Sequence, residues 1–224
     1  MCHGRTSADE LVARGMAAHQ RGDLDGAERD YLAALASAHA HAHALHYLGV
    51  VDYQRGRLAE ALPRLTAAVA RLPGEPEFHN NLGLVLAALD RHDEAIAAHR
   101  RALALQPDHA GAWTNLGLAL TAVNALDDAI AAFDRALELA PSLTEARFNR
   151  ALALLAAGRF AEGFRDYEAR LAVPAFADPA WSPTVPRWDG NEARGRTILL
   201  VAEQGLGDAI QFVRLATTLA ARGA

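Results

Sequence analysis

Residues 112–141 read AWTNLGLALTAVNALDDAIAAFDRALELAP: two helical stretches around a short polar break, with Pro141 standing where a helix must stop. Working outward, Gly117 has equivalents at Gly15, Gly49 and Gly83, each 34 residues from the next, and Ala151 continues the series. The same step links Ala27, Ala61, Ala95, Ala129 and Gly163, then Ala34, Ala68, Ala102 and Ala136, then Pro73, Pro107 and Pro141. Registers that agree in this way over most of the chain define an internal repeat.

The physical content of one repeat is clear in residues 76–89 and 92–105, two helical segments split by a polar turn at Asp90 and Arg91. Gly83 and Ala95 let the paired helices approach closely, and Ala102 leaves room for the next repeat. Leu82, Leu86, Ile96 and Leu103 supply apolar area to bury. Pro63, inside the second helix of the second repeat, removes one backbone donor and is expected to bend that helix.

Trp113, Leu116, Gly117, Ala129, Phe133 and Pro141 resemble the tetratricopeptide repeat pattern, with Leu120 in place of its tyrosine. After a tail at 1–7, the resemblance frames five repeats: 8–41, 42–75, 76–109, 110–143 and 144–177. It implies an all-α, right-handed solenoid of helix-turn-helix units with a concave and a convex face. The edges depart from the pattern, as terminal repeats do: His39 replaces the proline, Gly163 an alanine, and Arg170 the third small residue.

Composition narrows the function. A chain of 224 residues with 51% hydrophobic but only 6% aromatic content suits close-packed alanine-rich helices, and a formal charge of -5 offers no basic stripe for a phosphate backbone. Nucleic acid is therefore an unsuitable partner. Cys2 alone can form no internal disulfide, residues 1–20 lack an apolar signal core, and no stretch reaches the roughly 20 apolar residues of a membrane span. A cytoplasmic protein that does not insert in a membrane is the expectation.

Two residues before each repeat glycine stand Asn81, Asn115 and Asn149, with Tyr47 and Ala13 in the earlier repeats. Asparagine is a mediocre helix former, so three in register need a reason beyond propensity. In two tetratricopeptide groups, the chaperone-tail binders and the protein O-GlcNAc transferases, asparagine at this register grips the backbone of an extended peptide. The resemblance thus implies a peptide-binding groove at Asn81, Asn115 and Asn149, its neutral polar surface extended by His46, Asn80, Thr114, Tyr53 and Thr121. The alternative is that these asparagines bond the adjacent repeat and shape the superhelix. A carboxylate clamp of the chaperone type is disfavoured, because the flanking registers hold Val12, His46, Asn80, Thr114 and Phe148, or Met16, Val50, Leu84, Leu118 and Leu152, with no cation.

The stretch HAHAHALH places His39, His41, His43 and His46 together, which invites a metal reading. Only His43 and His46 share a helical face, however, and no Cys or Asp joins them. A solvated turn is the expectation and no metal is assigned; His19, His79, His92, His99 and His109 are read as surface or groove residues.

Residues 178–196 form a linker rich in proline with two tryptophans, Trp181 and Trp188, and residues 197–224 read as strand, glycine loop and helix: ILLVA, then Gly205 to Asp208, then an amphipathic run. Pro186 to Gly190, Gly195 to Thr197 and Glu203 to Asp208 resemble the opening of a heptosyltransferase-like GT-B glycosyltransferase lobe that follows tetratricopeptide repeats in bacterial proteins. By that resemblance Asp208 is a catalytic candidate at an acceptor-sugar site, in a longer parent only; in this chain the helix N-cap is the role expected of it. Residues 197–224 are thus expected to be the start of an α/β domain continuing past residue 224, with no catalysis and no cofactor here, a nucleotide sugar entering only with a complete domain. Binding of a protein or peptide is the expected activity. Self-association through the orphan strand and helix is a further reading.

Overall fold

The computed structural model describes residues 6–38, 41–172, 194–195 and 215–221. The chain divides into two compact units, residues 1–177 and 178–224.

The first unit is a stack of helical hairpins. Its first-of-pair helices are α1 (Ala8–Gln20), α3 (Ala42–Gln54), α5 (Pro76–Ala88), α7 (Ala110–Ala122) and α9 (Thr144–Ala156). Their partners are α2 (Leu24–Ser37), α4 (Leu58–Arg71), α6 (His92–Leu105), α8 (Leu126–Leu139) and α10 (Phe160–Tyr167), the last followed by a 3-10 turn, Glu168–Ala172. Both series start at intervals of 34 residues. Pro63 lies inside α4, which nevertheless runs on to Arg71; the donor it lacks would have met the carbonyl of Ala59.

The small-residue registers explain the stacking. Ala27, Ala61, Ala95 and Ala129, with Ala34, Ala68, Ala102 and Ala136, are all fully buried. Each repeat glycine receives a large side chain from its partner helix: a Cβ on Gly117 would lie 2.6 Å from a ring carbon of Phe133, and one on Gly83 would lie 2.5 Å from the ring of His99. Neither glycine has room for a methyl group. Between repeats, His79, Trp113 and Arg147 each donate a side-chain hydrogen bond, at 2.8–2.9 Å, to the carbonyl of Pro73, Pro107 or Pro141, six residues earlier. The repeat prolines therefore end helices and also anchor the next hairpin.

A further register lies in the turns inside each hairpin. Gly22, Gly56, Asp90, Asn124 and Gly158 all have positive φ, between 57° and 78°. Glycine takes this left-handed bend without strain, and Asp and Asn take it more readily than other residues. Gly56→Ala is expected to destabilise the protein by about 1 kcal/mol, whereas Gly74→Ala, whose added carbon meets open space without a positive φ, leaves the urea midpoint within error of wild type. Equal effects of the two changes would remove the strain explanation.

The strand expected at 198–202, the loop carrying Gly205, Gly207 and Asp208, the two linker tryptophans, Cys2 and His39 lie outside the described residues. Of the second unit, α11 (Leu215–Ala221) falls within the stretch read as a helix. Among the described residues every regular element is helical, so the architecture is all-α and no α/β fragment is seen.

Candidate functional site

The first-of-pair helices α1, α3, α5, α7 and α9 touch one another from repeat to repeat, while their partners, α2 to α10, make no such contact with each other. The first-of-pair helices therefore form the inner layer of a curved stack, and their free faces form its concave side.

Onto this layer fall the asparagines. Asn81 Nδ2 donates to Nε2 of His46 at 2.9 Å, and Asn115 Nδ2 donates to Oδ1 of Asn80 at 3.0 Å, so each reaches 35 residues back into the preceding repeat. Of the two roles open to these asparagines, the inter-repeat bond is present for Asn81 and Asn115. Their carbonyl oxygens accept nothing from the described residues. Asn149 repeats neither bond: Thr114, which occupies the corresponding position, turns its hydroxyl to its own helix at the carbonyl of Ala110.

The neighbours expected to extend the polar surface behave differently. His46, Asn80 and Thr114 are 4%, 6% and 5% exposed, which corrects their reading as groove surface. The register before each asparagine faces the adjacent hairpin, so these polar groups act inside the stack. Tyr53 is half-buried and packs beside Ala61, Leu65 and Val85, and the Thr121 hydroxyl is spent on the carbonyl of Gly117 at 2.8 Å.

The histidines also depart from the surface reading. His79 and His99 are buried, with His99 filling the place against Gly83 that Phe133 takes against Gly117. His99 Nδ1 donates to Asn80 Oδ1 at 3.2 Å while its Nε2 is buried without a partner. Burial pushes the His99 imidazole down to about 4, and burial with the nearby His43 does the same to His46. Both rings are therefore neutral near pH 7. His41 and His109 cap α3 and α7, their Nδ1 atoms accepting from the backbone of Ala44 and Ala112. Among the described residues no three His, Cys, Asp or Glu side chains converge on a metal position.

At the α1, α3 and α5 end, a cavity of about 380 Å³ opens on the inner layer. Tyr47, which takes the asparagine register in the second repeat, stacks on Tyr31 at 5.7 Å between ring centres and meets His46 edge-on at 4.9 Å. His46 stacks on Phe78 at 4.2 Å, and His43 lies edge-on to Phe78 at 5.4 Å. Glu75 and Glu77 are exposed where α5 begins; burial, then these two carboxylates, push the Tyr47 hydroxyl above its ordinary value. This aromatic cluster was not legible in the sequence, because its rings come from different registers. At the other end the inner layer is apolar: Leu118 and Leu152 share a register with Leu84 and are 38% and 41% exposed.

A buried charge cluster sits on the hairpin turn of the second repeat. Asp52, fully buried where Leu86 and Leu120 stand in later repeats, pairs with Arg64 and lies 2.7 Å from Nη2 of Arg57. Arg57 and Arg55 also engage Glu28, each at 2.7 Å. No helix among the described residues is long and apolar enough to cross a membrane.

Comparison with known proteins agrees with this geometry. Protein FlbA of Caulobacter vibrioides is 39% identical over 59 residues, 26% of this chain and 10% of that protein, so the chain spans about a tenth of that relative's length. A MamA protein is 26% identical with a TM-score of 0.64, over 74% of this chain and 90% of its own. YrrB, a TPR protein with an unusual peptide-binding site, is 19% identical with a TM-score of 0.63 over 77% of this chain and 89% of its own, a likeness of fold. One tetratricopeptide repeat family model matches residues 12–76 and 126–180, and a second matches 76–142. With its helices, small-residue registers and hairpin turns all recurring at the family's spacing, the chain belongs to the tetratricopeptide repeat family.

Proposed function

We propose that the chain is a protein-interaction module whose inner helical layer holds an extended segment of a partner protein. The observation that carries this reading is a row of unspent groups along that layer. The carbonyl oxygens of Asn81 and Asn115 and the amide of Asn149 offer acceptors and donors for a peptide backbone, and the partly exposed Leu118 and Leu152 offer apolar contacts beside them. The fold likeness to YrrB supports the same class of function.

Calorimetry with a dodecamer selected on the protein from a random phage-displayed library tests it. Changing Asn81, Asn115 and Asn149 together to Ala is expected to weaken that peptide at least ten-fold. Because two of these side chains also tie repeats together, Leu118→Ser with Leu152→Ser serves as a second variant that leaves the inter-repeat bonds in place, and it too should weaken binding about ten-fold. Unchanged affinity in both variants, with helical circular dichroism intact, sinks the groove.

A second reading, favoured by the sequence at 186–208 alone, makes the repeats the recognition part of a glycosyltransferase, with Asp208 at its acceptor site. Reading the gene past codon 224 tests it: a following nucleotide-sugar lobe supports this reading and an immediate stop codon removes it.

A further inference from the structure

The cavity between α1, α3 and α5 differs in chemistry from the rest of the inner layer. Its wall is aromatic, with Tyr47 and His43 half-buried and their rings nearly parallel at 6.4 Å, above the buried Phe78. Its rim carries the two carboxylates of Glu75 and Glu77, and no arginine or lysine is among its described lining residues. Asn81 lines the same cavity and leads into the asparagine row.

Ring faces and carboxylates favour the same ligand. The negative face of a tyrosine attracts a cation within roughly 6 Å, and two carboxylates at the mouth add Coulomb attraction in a partly desolvated site. An acidic side chain would be repelled by both, and a neutral apolar one would leave Glu75 without a partner among the described residues and Glu77 with His109 alone, at 3.6 Å. Of its three histidines, His19, His43 and His46, the last is kept neutral near pH 7 by burial, so that ring adds no opposing positive charge. The volume, about 380 Å³, admits a long side chain together with the backbone that carries it.

We infer that this cavity is a specificity pocket for a basic side chain, arginine or lysine, of the extended partner segment. The inference rests on the groove reading: the asparagine row holds the backbone, and the pocket selects which sequence is held. It gives the N-terminal repeats the task of choosing the partner. Charge complementarity commits the pocket to a cationic occupant, supplied by a protein segment running along the inner layer.

Selection from random phage-displayed dodecamers on the whole chain, compared with Glu75→Gln/Glu77→Gln, tests the pocket separately from the groove. Wild-type binders are expected to be enriched several-fold in Arg or Lys at one position, and the double variant should lose that enrichment while still yielding binders. In a wild-type binder, replacing the enriched basic residue by citrulline or norleucine should weaken affinity about ten-fold, with no such loss on the double variant. Binders without basic enrichment overturn the pocket and leave the groove standing. A selection that yields no binder sensitive to the Leu118→Ser/Leu152→Ser change overturns both. The two glutamates are exposed, so their neutral isosteres leave the fold intact.

Discussion

His99→Phe should make the protein markedly more resistant to acid. In the folded state the His99 imidazole is held down to about 4, against about 6.5 in an unfolded chain, because it is buried among apolar groups with Nε2 unpartnered. The sign follows from the depressed value. Above pH 6.5 neither state is charged and the residue adds no pH dependence. As the pH falls from 6.5 towards 4 the unfolded chain takes up a proton that the folded chain refuses, so stability is progressively lost. The full loss is about 3 kcal/mol, of which about 2 kcal/mol is reached at pH 5. Phenylalanine fits the site by precedent, since Phe133 fills the same position against Gly117, and Asn80 keeps its bond from Asn115. Urea unfolding at pH 7.5 and pH 5 should therefore show the variant gaining about 2 kcal/mol on wild type between the two conditions. Parallel losses in the two proteins would show that His99 is not the group responsible. His46, depressed to a similar value, carries a second share of the same sensitivity.

Arg64→Met should be among the most damaging single changes. It leaves the carboxylate of Asp52, which is fully buried, with Arg57 alone, and breaking a buried pair costs about 3 kcal/mol or more. The double variant Asp52→Leu/Arg64→Ala is expected to recover wild-type stability or exceed it. It installs the apolar combination seen at Leu86 with Ala98 and at Leu120 with Ala132, all buried, and leaves Arg57 paired with Glu28. Denaturation midpoints of Asp52→Leu, Arg64→Ala and the double variant form a thermodynamic cycle. Additive losses would show that Asp52 and Arg64 do not act as a pair.

These two sites mark where sequence reading stops. The 34-residue step located every hairpin, because close helix packing demands small residues at fixed places and identity alone reveals them. It concealed Asp52, in a register that elsewhere holds alanine or leucine, and His99, in one that elsewhere holds tyrosine, leucine or phenylalanine, since a pattern read from the majority treats the exception as noise. It also hid the left-handed turn register, where glycine, Asp90 and Asn124 share a backbone conformation but no side chain. The asparagines were visible, but their partners were not. His46 and Asn80 are one register away, and only coordinates show that this register faces the next hairpin. The histidines at 41 and 109 read as part of a solvated turn and as a surface or groove residue, and both act as helix caps.

The exact recurrence of helix starts has a consequence for how such a gene can change. Because both helix series restart every 34 residues, duplicating or excising any segment of that length, wherever the cut falls, returns every glycine, alanine and turn to its place. Unequal crossing-over can thus lengthen or shorten the stack without inventing a new interface. What such an event would scramble is the non-repeating part: removing 76–109 would take away Asn80, His99, Phe78 and the rim glutamate Glu77, and with them the chemical individuality of the inner layer.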